Sequence, residues 1–142
     1  MSTSTESLVC QGGCHCGAVR FQVLIDRYTV DDCNCSICRK KGFLHLIVPP
    51  ENFTLLKGRD SLSCYTFNTK VAQHTFCSIC GIHSFYRPRS HPNMVDINIR
   101  CLDEDLSDTD DKACGKPTGN VLRFTIRNFD GKNWENNVEQ IR

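Results

Sequence analysis

Seven cysteines in three tight clusters constrain this chain more than any other feature. They read Cys14-His15-Cys16, then Cys33-Asn34-Cys35-Ser36-Ile37-Cys38, then Cys77-Ser78-Ile79-Cys80. Eleven cysteines in 142 residues is far above ordinary usage. Two environments account for such a count: an oxidising one with disulfides, or a reducing one with metal. The tight spacing argues for metal, because disulfide partners are spread along a chain. Eleven is also odd, so complete pairing leaves one thiol over. Met1 to Val9 is polar and carries no apolar core of a secretory leader. The expectation is a metalloprotein of a reducing compartment, cytoplasmic or nuclear.

Spacing says what each cluster can do. A C-x-x-C turn such as Cys77 to Cys80 points two thiolates at one metal, and Gly81 supplies the backbone freedom that turn needs. Cys14 and Cys16 are two apart, so on an extended segment they project to the same face. Two such pairs complete a tetrahedral Cys₄ zinc site. The middle cluster offers three thiolates, Cys33, Cys35 and Cys38. Three protein ligands with one exchangeable position is the arrangement of catalytic zinc, whereas four closed ligands is that of structural zinc. The count suggests one closed and one open site, two zinc ions per chain. Spacing alone leaves the partition open. Cys33 and Cys35 can instead join Cys77 and Cys80, and one of Cys10, Cys64, Cys101, Cys114 or a histidine can close the second site. The four unclustered cysteines are most simply small buried hydrophobes. Zinc is the default ion, although iron also sits in Cys₄ sites.

The rest of the chain reads as one mostly β domain, since ~100–200 residues make a domain. Hydrophobic residues are 39% and charged residues 23%, a globular balance. Residues 1–9 read as a flexible tail, 10–136 as a single domain and 137–142 as a C-terminal tail. Ala18 to Ile25 alternates and suits a strand. Phe43 to Val48 reads as a buried strand stopped by Pro49-Pro50, and Phe53 to Lys57 as another ended by Gly58. Tyr65 to Thr69 is expected to pair with Val71 to Phe76 through a tight turn at Asn68 to Lys70. His83 to Tyr86, Val95 to Ile99 and Val121 to Phe129 complete the set, with Leu122, Phe124 and Ile126 on one face. No stretch longer than a turn or two shows helical periodicity. The acidic run at 103–111 reads as a solvated loop and Trp134 as a packing anchor.

Among the histidines, His15 points away from its neighbouring ligands. His45, His74 and His83 lie in strands and read as hydrogen-bonded structural residues, with His45 and His83 the better functional candidates because both follow cysteine clusters. His91 reads as a loop residue. Arg39, Lys40 and Arg87 are candidate partners for a substrate carboxylate. The formal charge is +1. Seven ionised thiols with two Zn²⁺ change it by −3, to −2. That balance gives no electrostatic grip on nucleic acid or anionic membrane, and no run approaches the ~20 apolar residues of a membrane helix.

The stretches GGCHCGAVRF, CNCSICRKKG, FTLLKGRDSLSCYTF and HTFCSICGIHSFYRP together resemble the glutathione-dependent formaldehyde-activating enzyme family. The closing FDGKNWEN looks closest to its centromere protein V branch. The resemblance runs from about Gly12 to Asn136. The ordered clusters plus G-x-D-x-L-x-x-Y-x-F at Gly58 to Phe67 are far more specific than a lone C-x-x-C. The resemblance implies a β-tent, small antiparallel sheets splayed around a structural zinc held by Cys14, Cys16, Cys77 and Cys80. It implies a catalytic zinc on Cys33, Cys35 and Cys38. It also implies carbon–sulfur lyase chemistry, joining formaldehyde and glutathione reversibly as S-hydroxymethylglutathione. A thiol with pKa ~8.5 is mostly protonated at neutral pH, and coordination to zinc deprotonates it. Zinc can equally polarise the aldehyde oxygen, but three thiolates leave it electron-rich, which favours thiol binding. The centromere protein V branch is linked to microtubules and chromatin through a basic N-terminal extension. Met1 to Val9 holds no Lys or Arg, so that role is not expected. The rival expectations are a non-catalytic zinc-stapled binding module and a sulfoxide-reductase-type redox enzyme. The latter needs a reactive non-ligating thiol, and Cys64, Cys101 and Cys114 have no recognisable activating neighbourhood.

Overall fold

The computed structural model describes residues 7–67, 70–103 and 124–133. Alternating apolar residues drive the first sheet. Strand β1 (Leu8–Gly13) runs antiparallel to β2 (Arg20–Ile25), with Leu8 opposite Ile25 and Gly13 opposite Arg20. Phe21, Val23 and Ile25 are fully buried, so β2 sends one whole face into the core. Leu8 and Val9, expected in the tail, are therefore sheet residues. The loop between β1 and β2 carries Cys14 and Cys16.

Strand β3 (Thr29–Cys33) ends on the first cysteine of the middle cluster, and a short helix α1 (Ser36–Lys41) follows. Cys35 is its N-cap: the Cys38 N–H donates to Cys35 Sγ at 3.4 Å. Strand β4 (Leu44–Val48) is buried along its whole length, as the apolar run around His45 predicts. Strand β5 (Phe53–Lys57) closes the first sheet in the order β1-β2-β5.

Strands β6 (Leu62–Tyr65) and β7 (His74–Cys77) form a separate hairpin. The sequence places this pairing at Tyr65 to Thr69 and Val71 to Phe76. The observed strands lie further out on both sides, with Leu62 opposite Cys77. Packing sets that register, because Leu62 and buried Cys77 both belong to a small core of their own. Residues 68 and 69 of the expected turn lie outside the described residues.

Strands β8 (Phe85–Tyr86), β9 (Val95–Asn98) and β10 (Thr125–Phe129) complete a five-stranded sheet in the order β10-β3-β4-β9-β8. The resemblance implies antiparallel sheets throughout, yet β10 runs parallel to β3, with Phe129 opposite Cys33. This pairing returns the C-terminal segment to the middle cysteine cluster. Leu122, Cys114, Trp134 and residues 104–111 of the acidic run lie outside the described residues.

The main core lies between the two larger sheets, built on Phe21, Ile25, Leu46, Val48 and Ile97. The smaller core gathers Val19, Cys14 and Cys77, and Phe85 packs against both. The five-stranded sheet is two-faced. Leu44, Leu46, Val48 and Ile97 face the main core, while the alternate positions His45, Ile47 and Asp96 turn to its other side. That second face carries the chemistry described next.

Candidate metal centre

Loop β1–β2 and the turn after β7 meet at the first group of sulfurs. Gly81 takes φ +81° there, and its N–H donates to the Cys77 carbonyl at 2.8 Å, closing the C-x-x-C turn. The Sγ atoms of Cys14, Cys16, Cys77 and Cys80 all lie within 4.8 Å of one another. Cys14 to Cys16 and Cys16 to Cys77 are both 3.7 Å. A tetrahedron with Zn–S bonds of ~2.3 Å requires sulfurs ~3.8 Å apart, so this donor set fits zinc. The Val19 N–H donates to Cys14 Sγ at 3.3 Å and the Ile79 N–H to Cys77 Sγ at 3.4 Å. The Cys16 backbone N–H brings the Cys80 thiol down to about 6. These donors favour thiolates.

The second group is Cys33, Cys35 and Cys38, at the end of β3 and the start of α1. Their three Sγ atoms also lie within 4.8 Å of one another. Contact with the Cys33 and Cys38 sulfurs and with the Cys38 backbone N–H holds the Cys35 thiol far below its ordinary range. The same contacts push Cys38 far up, with burial adding to the effect. Cys33 is raised to about 11, chiefly by Cys35. Without a cation, one thiolate forms readily and the next two do not. A divalent cation removes that conflict, so this group also fits a metal such as zinc. Among the described residues no fourth His, Cys, Asp or Glu completes it. Cys10, Cys64, Cys101 and the histidines stand outside both groups, and so does the pairing of Cys33 and Cys35 with Cys77 and Cys80.

Two further residues close around the second group. Gly131, brought in by β10, packs against Cys33 Sγ, and a Cβ on it would also stand 3.1 Å from Cys35 Cβ. Lys41 extends over the rings of Tyr86 and Phe43, 4.1 and 4.6 Å from their centroids, and contacts His74 Nδ1 at 3.1 Å. Burial lowers its pKa, opposed by the attraction of Cys38, Asp96, Cys35 and Cys33. It is a partly buried cation facing sulfur anions. On the second face of the sheet, a recess of about 40 Å³ is lined in part by Cys33, His45, Tyr86 and Asp96.

The model of the glutathione-dependent formaldehyde-activating enzyme family matches residues 9–118. The chain belongs to that family. A Halomonas elongata protein named as a candidate glutathione-dependent formaldehyde-activating enzyme is 30% identical over 108 residues, 70% of this chain and 69% of its own. A crystal structure of a Rhodobacter sphaeroides protein is similar at a TM-score of 0.61 and 26% identity, covering 82% of this chain and 99% of that one.

In this family member the mostly β fold of small sheets appears as expected. Among the described residues no helix is long and apolar enough to cross a membrane. Of the basic candidates, Arg39 and Lys40 are exposed on α1, and the Arg87 guanidinium donates to the Pro92 carbonyl at 2.9 Å. The sequence reading passed over Lys41, Asp96 and Gly131. Lys41 was hidden in a basic trio that looks solvated. Asp96 had a visible signal: a carboxylate inside an apolar strand, V-D-I-N, whose partner strand is buried on both faces.

Proposed function

We propose that this chain is a zinc-dependent carbon–sulfur lyase acting on the adduct of formaldehyde with a thiol of the glutathione type, S-hydroxymethylglutathione. One zinc is structural, on Cys14, Cys16, Cys77 and Cys80. The other is catalytic, on Cys33, Cys35 and Cys38. The observation that carries this reading is the incomplete second group. Three convergent sulfurs with no fourth ligand among the described residues leave a position for a substrate.

Zinc bound there supplies a pull on thiol protons, making a thiolate available at neutral pH. The chain's residues do the rest. Three thiolates with Zn²⁺ carry a net charge of −1, which repels an incoming thiolate. The Lys41 ammonium, held over Tyr86 and Phe43, offsets that charge from a partly buried position. Gly131 leaves Cys33 the room to keep its place in the group. Family membership supports the substrate class, formaldehyde with glutathione.

The test is formaldehyde release from S-hydroxymethylglutathione, compared between wild type and Cys35→Ser. Wild type should accelerate release, and Cys35→Ser should not, while keeping its circular dichroism spectrum. Equal rates in the two proteins would point instead to a zinc-stapled binding module.

A further inference from the structure

The second face of the five-stranded sheet holds a buried polar pair. His45 Nδ1 lies 2.7 Å from Asp96 Oδ2, with side chains 6% and 2% exposed. An ionised carboxylate only accepts, so the imidazole donates from Nδ1. In the neutral ring Nε2 is then an acceptor. Both partners keep an unused atom. Among the described residues, His45 Nε2 and Asp96 Oδ1 are buried and have no hydrogen-bond partner. Leaving such an atom unpaired is costly, and buried polar groups without partners are rare in folded proteins. Two of them on one residue pair point to a missing ligand.

Both residues line a recess of suitable size. It holds about 40 Å³, where one water needs ~10–15 Å³. That is room for a hydroxyl and its carbon, and not for a tripeptide. Cys33 lines the same recess as His45 and Asp96, so the recess borders one member of the three-sulfur group.

We propose that this recess seats the hydroxymethyl oxygen of the thiol–formaldehyde adduct, with His45 as the catalytic residue that carries its proton and Asp96 as the residue that positions His45. The inference rests on the lyase reading above and adds the acid–base partner that reading lacks. In cleavage, His45 Nε2 accepts the hydroxyl proton. The O–H electron pair becomes the second C=O bond, and the C–S pair leaves with sulfur as a thiolate. The products are formaldehyde, a thiolate and imidazolium, which Asp96 stabilises. In synthesis the same steps reverse: the thiolate attacks the formaldehyde carbon, the C=O π pair moves onto oxygen and the imidazolium Nε2–H delivers its proton there. No oxidant or reductant enters.

Two measurements test this. In the first, His45→Gln and Asp96→Asn are assayed for formaldehyde release. Positioned acid–base groups contribute ~10²–10⁴-fold, so His45→Gln should lose about 10²-fold or more while binding as much zinc as wild type. Asp96→Asn should lose activity and move the His45 Nδ1 proton signal upfield. An unchanged rate in His45→Gln overturns the proposal.

The second measurement reads the recess in the zinc-loaded wild-type protein by imidazole ¹⁵N spectra. The His45 Nε2 resonance should shift when the formaldehyde–glutathione adduct is added and stay still with glutathione alone. A resonance unmoved by the adduct, or moved equally by glutathione, overturns the proposal whatever the variants do. A wild-type chain that shifts this resonance yet releases no formaldehyde overturns the lyase reading and keeps the recess as a hydroxymethyl-binding site.

Discussion

Gly131 stands so close to Cys33 that a methyl group on its α-carbon would overlap the Cys33 sulfur. Sequence separation between them is nearly the whole domain, and parallel pairing of β10 with β3 brings them together. The relationship makes a one-atom test of the second metal group. Gly131→Ala should turn Cys33 out of the group and release one zinc, with the Cys₄ group and the fold unchanged. Metal analysis on the purified variant checks it. Undiminished zinc would show that Cys33 has slack which the geometry denies.

Lys41 is expected to act through charge. Its ammonium is the cation placed over Tyr86 and Phe43 beside the sulfur group. Hydrogen bonds and contacts involving charged groups contribute ~1.5–3 kcal/mol, so Lys41→Met should weaken binding of the thiol substrate about tenfold or more. Lys41→Arg should recover part of it. Titration of each variant with glutathione distinguishes the two, and equal affinity in wild type and Lys41→Met would contradict a charge role.

The two sulfur groups should differ in what they do for stability. Structural zinc contributes ~10–16 kcal/mol of binding free energy in small peptides, against ~5–15 kcal/mol for the whole stability of a domain. Cys77 is buried at the centre of the smaller core. Cys77→Ser or Cys80→Ser should therefore fail to fold, whereas Cys35→Ser should unfold cooperatively near the wild-type temperature. Cooperative unfolding of Cys80→Ser would assign the first group no structural role.

Acid should destabilise this protein between pH 6.5 and 4. Burial first, then the charge of Lys41, lowers His74 and His83 from an ordinary 6.5 to about 4. The unfolded chain binds those protons and the folded chain does not. Stability is therefore complete above pH 6.5 and falls as the pH drops toward 4. Denaturant midpoints across this range should fall less steeply in His74→Gln than in wild type. Parallel slopes would leave His74 out of the acid response.

Much of this architecture is legible in the sequence, for identifiable reasons. The period-2 pattern of Phe21, Val23 and Ile25 and the mostly apolar run Phe43 to Val48 come from burial of one face or both, which composition reports directly. The cysteine clusters are legible because C-x-C and C-x-x-C spacings are local geometry, whereas their partition into two groups follows from the family resemblance and not from spacing. Thr29–Cys33 is not legible, because T-V-D-D-C has the composition of a loop. Its strand exists through partners on both sides, including an ion pair from Arg127 to Asp31 at 2.7 Å. Lys41, Gly131 and the pairing of His45 with Asp96 were hidden for the same reason, although Asp96 itself stands out inside its strand. Each acts through a neighbour distant in sequence, and a single sequence carries no trace of that pairing.

The account stands on the second sulfur group being a metal centre with a position to spare. Native mass spectrometry of the chain, purified without chelator, tests it most directly. Two zinc ions in wild type and one in Cys35→Ser, each with a folded charge-state distribution, is the predicted result. One zinc in wild type, unchanged when zinc is added, would contradict it.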